Sequence, residues 1–260
     1  MTQTSLTIEF LGTGTSVGVP ELPCPCEVCH SSDPHDRRLR ASAVVTVAGR
    51  RLLIDAGPDM RTQLLRSAGG QHIDALLLTH NHYDHTGGID DVRVYCRNGH
   101  RFPVYARADV VQHLRTHLPY CFGPHPYPGA PRFEVHTVAE WQPFTVADID
   151  VLPLPVIHYG SQTILGYRIG PLAYITDAKV VDDSVVEALR GVPLLVINAL
   201  RQTPHPSHLS LPEAIQLVQR IAPKRALFTH ICHQLGFHRQ VQATLPHGIE
   251  LAYDGLCVTL

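Results

Sequence analysis

Four potential metal ligands are packed into six positions near residue 80. Residues 79–88 read Thr-His-Asn-His-Tyr-Asp-His-Thr-Gly-Gly, with His80, His82, Asp84 and His85 in the spacing His-x-His-x-Asp-His. Side chains two apart on an extended segment point to the same side, so His80 and His82 can hold one ion together. Asp84 and His85 lie where the chain turns, and they can serve a second ion about 3.5–4 Å away. The spacing therefore predicts a two-metal hydrolytic site.

The competing interpretation of this motif is a solvated histidine-rich loop that titrates near neutral pH. However, the apolar run Ile73 to Leu78 comes directly before the motif and predicts a buried strand. Gly87 and Gly88 allow a tight turn after it. A strand that delivers ordered ligands favours the metal site.

Three further candidate ligands also follow apolar runs that predict strands. They are His158 after residues 154–157, Asp177 after residues 172–176, and His230 after residues 226–229. Strand ends hold side chains in fixed geometry, as a metal site requires. A carboxylate such as Asp177 can bridge two cations, and neutral imidazoles suit borderline-soft divalent metals. Any one of the three alone would more often be an ordinary strand-end residue.

The whole chain sets broad limits on function. With 260 residues it can bury a full core, and we expect one α/β domain over residues 1–260. The formal net charge of −2 provides no basic field for nucleic acid or an anionic membrane, so a small-molecule partner is expected. No apolar run is long enough to span a bilayer, and the amino terminus does not resemble a signal peptide. These features predict a cytoplasmic protein that binds neither membrane nor nucleic acid.

Apolar periodicity predicts alternating strands and helices. The predicted strands are residues 6–11, 43–47, 51–54, 73–78, 104–106, 172–176, 194–197 and 226–229, together with a series of short strands over residues 133–174 that includes 149–156 and 164–169. The predicted helices are residues 59–67, 89–97, 109–117, 182–190, 211–221 and 237–244. Residues 118–132 contain many prolines and aromatic side chains, which indicates either a loop near the substrate entrance or a packed connector.

Three of the seven cysteines are crowded into Cys24-x-Cys26-x-x-Cys29. This spacing is too tight for an ordinary disulfide framework, but it suits a tetrahedral thiolate site. The sequence therefore favours a metal site over a disulfide in the loop at about residues 20–40.

The ligand set His80-x-His82-x-Asp84-His85, followed by His158, Asp177 and His230, resembles the metallo-β-lactamase fold superfamily over nearly the whole chain. The resemblance implies a four-layer αββα sandwich with metals at one edge of two sheets. It also implies one metal held by His80, His82 and His158, a second held by Asp84, His85 and His230, and Asp177 between them. Asp55 matches an aspartate that orients the ligands in this superfamily, although it could instead be a turn-capping residue.

Two features make the chain similar to one branch, the phosphoribosyl cyclic phosphate phosphodiesterases. They are the cysteine excursion and the pair His230-x-x-His233. This resemblance implies that a structural zinc is held by Cys24, Cys26, Cys29 and His233. The residues leave two alternatives open. Cys232 could be the fourth zinc ligand in place of His233, or the thiols could be free.

A second histidine-bearing segment spans residues 198–210 and contains His205 and His208. In the resembled branch a histidine at the position of His208 acts on the leaving group, so the resemblance implies this role for His208. His205 fits an ordinary loop residue. Arg201 could bind a substrate phosphate through its planar fork, although a surface arginine is the commoner case. The resembled enzymes tend to have aspartate where Asn198 stands, and this difference leaves the substrate open.

The resulting hypothesis is a binuclear phosphodiesterase for a small cyclic or ribose-type phosphodiester. A hydroxide bridging two divalent ions, zinc or manganese with iron also suited, would attack phosphorus. Asp84 and Asp177 would hold it, and His208 would protonate the departing oxygen. The alternatives are a tRNA 3′-end endonuclease, a thioester or lactone acyl hydrolase, and a non-catalytic binding protein. A homodimer would follow the family tendency.

Overall fold

The computed structural model describes residues 5–123 and 127–260. The predicted loop at 118–132 therefore lies partly outside the described residues. Its described part begins with a short 3-10 helix, Pro119–Cys121.

Strands occur in chain order in two groups, one for each sheet. The first group is β1 (Leu6–Gly12), β2 (Ser42–Val47), β3 (Arg50–Ile54), β4 (Ala75–Leu77), β5 (Phe102–Ala106) and β6 (Phe133–Thr137). The second group is β7 (Phe144–Val146), β8 (Ile149–Ile157), β9 (Thr163–Ile169), β10 (Leu172–Tyr174), β11 (Leu194–Asn198), β12 (Arg225–Thr229) and β13 (Ile249–Leu251). The last strand, β14 (Cys257–Thr259), returns to the first sheet beside β1.

The helices lie between these strands. They are α1 (Met60–Arg66), α2 (Tyr83–Thr86), α3 (Ala108–His117), α4 (Asp183–Leu189), α5 (Leu211–Ile221) and α6 (His238–Gln242). Further 3-10 helices span Pro34–Asp36, Ile89–Tyr95, Arg97–Gly99 and His233–Leu235. No helix in the described part of the chain is both long and apolar enough to cross a membrane.

The two sheets have matching arrangements. The first has the order β14-β1-β2-β3-β4-β5-β6, and the second has the order β13-β12-β11-β10-β9-β8-β7. In each sheet four neighbouring strands are parallel, β3 to β6 in the first and β10 to β13 in the second. Parallel strands place their carboxyl ends at one edge, which is where ligands bind in such sheets.

Alternating side chains separate the layers. Leu52 and Ile54 of β3 lie in the core between the sheets, whereas Leu53 packs towards α1 and α3. In the second sheet Val196 lies in the same central core and Leu195 packs towards α4 and α5. The αββα sandwich predicted from the resemblance is therefore confirmed.

Local sequence explains the clearest helix boundary. Helix α5 begins after Ser210, which forms a capping box with Glu213, and proline stands in its first turn. The Ser210 N–H donates to Glu213 Oε2 at 2.7 Å. This arrangement satisfies backbone donors that a helix start would otherwise leave free.

The helix predicted at residues 89–97 is wrong in type. The structure has a 3-10 helix over Ile89–Tyr95 instead. Its two buried side chains, Ile89 and Val92, are three residues apart, which matches the three-residue turn of a 3-10 helix. Strands β13 and β14 were not predicted, because each has three residues and, unlike the equally short β4 and β10, neither lies within a longer apolar run.

Candidate metal centre

Several of the predicted site residues lie at the carboxyl ends of parallel strands in the two sheets. Asp55 follows β3, Asp177 follows β10 after a two-residue extension, and His230 follows β12 directly. These three residues have left-handed backbone, with φ of 62°, 57° and 55°. Aspartate and histidine tolerate this conformation better than most residues. The sharp turn lets the chain leave each strand at once and places the side chain at the sheet edge.

The first cluster consists of three imidazoles. One nitrogen each of His80, His82 and His158 lies within 4.8 Å of the others, which is close enough for one ion to be shared. His80 and His158 are buried, whereas His82 is exposed. The cluster is therefore approached from solvent on the His82 side.

The second cluster is buried throughout and contains Asp84, His85, Asp177 and His230. His85 Nε2 lies 3.0 Å from Asp84 Oδ2 and 3.3 Å from Asp177 Oδ1. His230 Nε2 lies 3.1 Å from Asp177 Oδ2. The same Asp177 oxygen is 3.9 Å from His80 Nε2 of the first cluster, so Asp177 stands between the two.

Hydrogen bonds fix which ring nitrogen of each imidazole is left to bind a cation in the clusters. Asp55 Oδ2 accepts from His85 Nδ1 at 2.7 Å, and the Thr79 hydroxyl lies 3.0 Å from His80 Nδ1 while it donates to Asp55. His158 Nδ1 donates to the main-chain oxygen of Asp177 at 2.7 Å. With Nδ1 used in this way, Nε2 is left to bind a cation, as in metal sites whose ligands are oriented by a second hydrogen bond.

The donor atoms fit divalent cations. The Nε2 atoms of His80, His85 and His230 are buried, and although carboxylate oxygens lie close to them, none makes a well-aligned hydrogen bond with any group in residues 5–123 and 127–260. A buried polar atom without a partner costs about 1–3 kcal/mol. Cations of the zinc or manganese type would satisfy these imidazoles and the carboxylates beside them.

The electrostatics of the second cluster also favour bound cations. Burial alone would lower the pKa of His85, but Asp177, Asp84 and Asp55 raise it well above its ordinary value. Burial would raise the pKa of Asp177, but His230 and His85 hold it well below its ordinary value. The buried carboxylates therefore stay ionised and require positive charge next to them.

The cysteine loop forms a separate four-residue cluster. Sulfur atoms of Cys24, Cys26 and Cys29 and a nitrogen of His233 lie within 4.8 Å of one another. His233 Nδ1 is 3.4 Å from Cys24 Sγ and 3.2 Å from Cys26 Sγ, while its Nε2 lies 3.0 Å from Glu21 Oε2. The backbone N–H of Cys29, followed by His233, lowers the pKa of the Cys26 thiol to about 6. It is therefore His233, and not Cys232, that lies with the three thiols in the structure.

Comparison with known proteins identifies the fold family. The profile described as "Beta-lactamase superfamily domain" matches residues 50–231, which is most of the chain and includes all seven predicted active-site ligands. The chain belongs to the metallo-β-lactamase superfamily. Its ligand clusters are of the kind expected in a metal-dependent hydrolase of this fold.

A solved structure shows which branch of the superfamily the chain is similar to. The crystal structure of a new diphosphatase from the PhnP family is similar, with 41% identity and a TM-score of 0.90 over 98% of this chain and 97% of that one. This similarity confirms the branch that the cysteine loop and His233 indicated.

Two other relatives extend the comparison. The octanoyltransferase of Porphyromonas gingivalis is 44% identical over 95% of this chain, but the chain spans only 50% of that protein's length. Zinc-bound PqqB from Methylobacterium extorquens has a TM-score of 0.78 at 20% identity, over 98% of this chain and all of that one, and it shows the fold alone.

His208 lies against the predicted ligands of the two clusters. Its ring stacks on His230 with centroids 4.8 Å apart, and its Nδ1 is 3.8 Å from Asp177 Oδ2. Burial and the neighbouring His230 lower the pKa of His208 to about 3. His205 is half-buried with its ring 5.1 Å from that of His208, and its Nδ1 lies 3.2 Å from the Ser207 hydroxyl.

Arg201 has a different environment. Its guanidinium donates to the main-chain oxygens of Thr203 and Pro204 and to the Gln234 side chain. These bonds hold the segment that carries His205 and His208. The suggestion that Arg201 binds substrate stays a prediction.

Asn198 and Thr79 were missed as residues that hold the ligands. Asn198 is fully buried at the end of β11, and its amide bonds to the main chain of Ala178, next to Asp177. Thr79 donates to Asp55. A polar residue at the end of an apolar strand was the available signal for both.

Proposed function

We propose that the protein hydrolyses a small phosphodiester of the cyclic or ribose type. The observation that carries this proposal is the pair of adjoining clusters with Asp177 of the second facing His80 of the first, with His82 exposed on the open side and His208 stacked beside them. A diester needs both an activated water and a proton for the departing oxygen. The clusters and His208 provide groups for both requirements in one place.

Two divalent ions, zinc or manganese with iron as a further candidate, fit these ligands. His80, His82 and His158 would hold one, and Asp84, His85 and His230 the other, with Asp177 reaching both. Such ions supply a Lewis acid for the phosphoryl oxygens and make water nucleophilic near neutral pH. The cysteine cluster with His233 would hold a separate structural zinc.

The chain's own residues then have distinct roles. Asp84 accepts a hydrogen bond from the attacking water and orients it towards phosphorus. His208 donates a proton to the leaving oxygen. Because the pKa of His208 is about 3 in the ligand-free molecule, this role requires the negative charge of the bound phosphodiester to favour the protonated imidazole.

A second candidate is hydrolysis of an acyl thioester. It is favoured by the 44% identity to the octanoyltransferase, although this chain spans half of that protein. The two candidates differ in whether the group under attack is a phosphoryl or a carbonyl centre, so one panel of substrates separates them.

The test combines metal analysis with that panel. Protein loaded with zinc or manganese is assayed on bis-p-nitrophenyl phosphate, a ribose cyclic phosphate, an octanoyl thioester and precursor tRNA. We expect hydrolysis of the two small diesters, and loss of that activity in His80→Ala. Cleavage of only the thioester or only the tRNA would assign the site to another reaction, and no cleavage of either diester would refute the proposal.

A further inference from the structure

Two hydrogen bonds cross from the second sheet to the start of the metal-binding motif. The Tyr167 hydroxyl, on β9, donates to the main-chain oxygen of Leu78 at 2.6 Å. The main-chain N–H of Leu165, two positions earlier on β9, donates to the main-chain oxygen of Thr79 at 3.0 Å. Leu78 and Thr79 directly precede the ligand His80. Strand β9 therefore holds the backbone from which the four-ligand motif begins.

These bonds form beyond the end of regular pairing between β9 and β10. Strand β10 pairs with β9 as far as Tyr174, which lies opposite Tyr167, so Leu165 lies beyond the last pair. In the first sheet β4 ends at Leu77 and β5 ends at Ala106. The two residues after β4 are fully buried, and buried main-chain oxygens beyond the end of a strand need donors from elsewhere. Strand β9 provides two such donors.

The Tyr167 side chain is suited to hold a fixed position. It is fully buried and packs in the central core between the two sheets. Burial, together with the charge of Asp55, raises the pKa of Tyr167 well above its ordinary value, so the hydroxyl keeps its proton and remains a donor. Because a core is closely packed, the ring cannot move without displacing its neighbours, and the oxygen that it binds is held with it.

The bond from Tyr167 lies one residue from the network that orients ligands of both clusters. The Thr79 N–H donates to Asp55 Oδ1 at 2.8 Å, and the Thr79 hydroxyl lies 3.0 Å from His80 Nδ1. Asp55 also accepts from His85 Nδ1 at 2.7 Å. His80 belongs to the first cluster and His85 to the second, so a shift of the main chain before His80 would displace ligands of both.

We propose that Tyr167 is a positioning residue for the metal centre. Its hydroxyl fixes the backbone before His80, so that the ligands from the first sheet keep their places relative to those from the second. It acts through the main chain of Leu78 and Thr79, and not by binding a cation. The part of this inference that concerns rate rests on the proposed phosphodiesterase function, whereas the part that concerns metal affinity does not.

Metal affinity tests the inference directly. Tyr167→Phe removes the hydroxyl and keeps the ring. Manganese is titrated into protein freed of its active-site metals, and the electron paramagnetic resonance signal of the free ion is measured. Soft thiolates disfavour manganese, so the cysteine cluster does not compete for it. We expect Tyr167→Phe to bind manganese about 10–100-fold more weakly than the wild type, as when other groups that orient metal ligands are removed.

Tyr95→Phe is the matched control. The Tyr95 hydroxyl also donates to a main-chain oxygen, that of Gln71, but it lies outside the two clusters, so this variant should bind manganese with wild-type affinity. The zinc content of the cysteine cluster, from elemental analysis, reports whether the rest of the fold is intact in Tyr167→Phe. Wild-type manganese affinity in Tyr167→Phe would overturn the inference. An equal loss of zinc from the cysteine cluster would also overturn it, because it would show a general loss of the fold.

Kinetics at saturating metal separate positioning from substrate binding. On bis-p-nitrophenyl phosphate we expect the kcat of Tyr167→Phe to fall by about 10–10²-fold, because a misplacement of about 1 Å can cost 10²-fold. KM should stay close to the wild-type value, since the hydroxyl holds the main chain and not the substrate. A raised KM with unchanged kcat would overturn the positioning role. If the wild type hydrolyses neither small diester, the proposed function fails, and the manganese affinities alone decide this inference.

Discussion

The side-chain amide of Asn198 holds both polar atoms of Ala178. Asn198 Oδ1 accepts from the Ala178 N–H at 2.8 Å, and Nδ2 donates to the Ala178 oxygen at 3.0 Å. Ala178 directly follows Asp177, whose left-handed backbone turns the carboxylate towards both clusters. A group that both donates and accepts is required here, and asparagine meets this requirement where an ionised aspartate cannot.

Weakening this contact should loosen metal binding. Asn198→Asp keeps the acceptor and loses the donor, whereas Asn198→Leu loses both. We expect affinity for the active-site metals to fall in that order, by about 10–100-fold for the leucine variant, as when groups that orient metal ligands are removed. Competition with a chromophoric chelator measures the affinity. Asn98 is exposed, so the control variant Asn98→Asp should bind the active-site metals with wild-type affinity. Equal affinities in all variants would contradict the role of Asn198.

Loss of the His208 imidazole should depend on the leaving group. His208→Ala should slow hydrolysis of an alkyl diester by about 10²–10⁴-fold, because the alkoxide needs a proton as it departs. The effect on a nitrophenyl diester should be small, since nitrophenolate leaves without help. His205→Ala is the matched control, half-buried in the same segment. If His208→Ala slows both diesters equally, His208 is not the acid.

The cysteine cluster should hold its own zinc. Cys26→Ser should remove about one zinc per chain and lower the melting temperature, because a structural zinc stabilises the fold that forms its site. Elemental analysis together with thermal unfolding measures both. Cys257 is exposed and lies outside the cluster, so Cys257→Ser should change neither. An unaltered zinc content in Cys26→Ser would show that the thiols are free.

His238 should make stability depend on pH below neutrality. Burial, followed by the charge of Arg38, lowers the pKa of His238 to about 4 in the folded chain, and its Nδ1 lies 3.0 Å from the Arg38 guanidinium, whose charge disfavours protonation. Because the folded-state pKa is below the unfolded value of about 6.5, stability is fully present above pH 6.5 and is lost as the pH falls towards 4.

The measurement is urea unfolding of wild type and variants between pH 7 and 4. In His238→Gln the free energy of unfolding should fall less steeply over this window than in the wild type. Titration of the metal-site histidines is common to both proteins and cancels in the difference. His247→Gln, at an exposed position, should retain the wild-type slope, and a parallel slope in His238→Gln would argue against His238 as the titrating group.

The sequence was most informative where an apolar run ends directly before a polar residue. His80, His158 and His230 could be recognised as candidate ligands because each comes at the end of such a run, where a strand holds the side chain in fixed geometry. Asn198 also follows such a run, but the run does not show what its side chain does. Its partner is a main-chain peptide group twenty positions earlier, and only the register of β10 against β11 brings the two together.

Irregular segments were harder to predict for a different reason. The left-handed backbone at Asp55, Asp177 and His230 has no signal in composition, since none of them is glycine. Periodicity alone also gave Ile89–Tyr95 the wrong helix type. These features arise from tertiary contacts, which a window of neighbouring residues does not contain.

The ligands are divided between the two sheets. His80, His82, Asp84 and His85 follow β4 of the first sheet, whereas His158, Asp177 and His230 follow strands of the second. An ion that binds this set joins the two halves of the sandwich as a crosslink would, and it binds only when both halves are docked. Chelation should therefore reduce the resistance of the whole chain to unfolding, by the mass-action stabilisation that the ions provide.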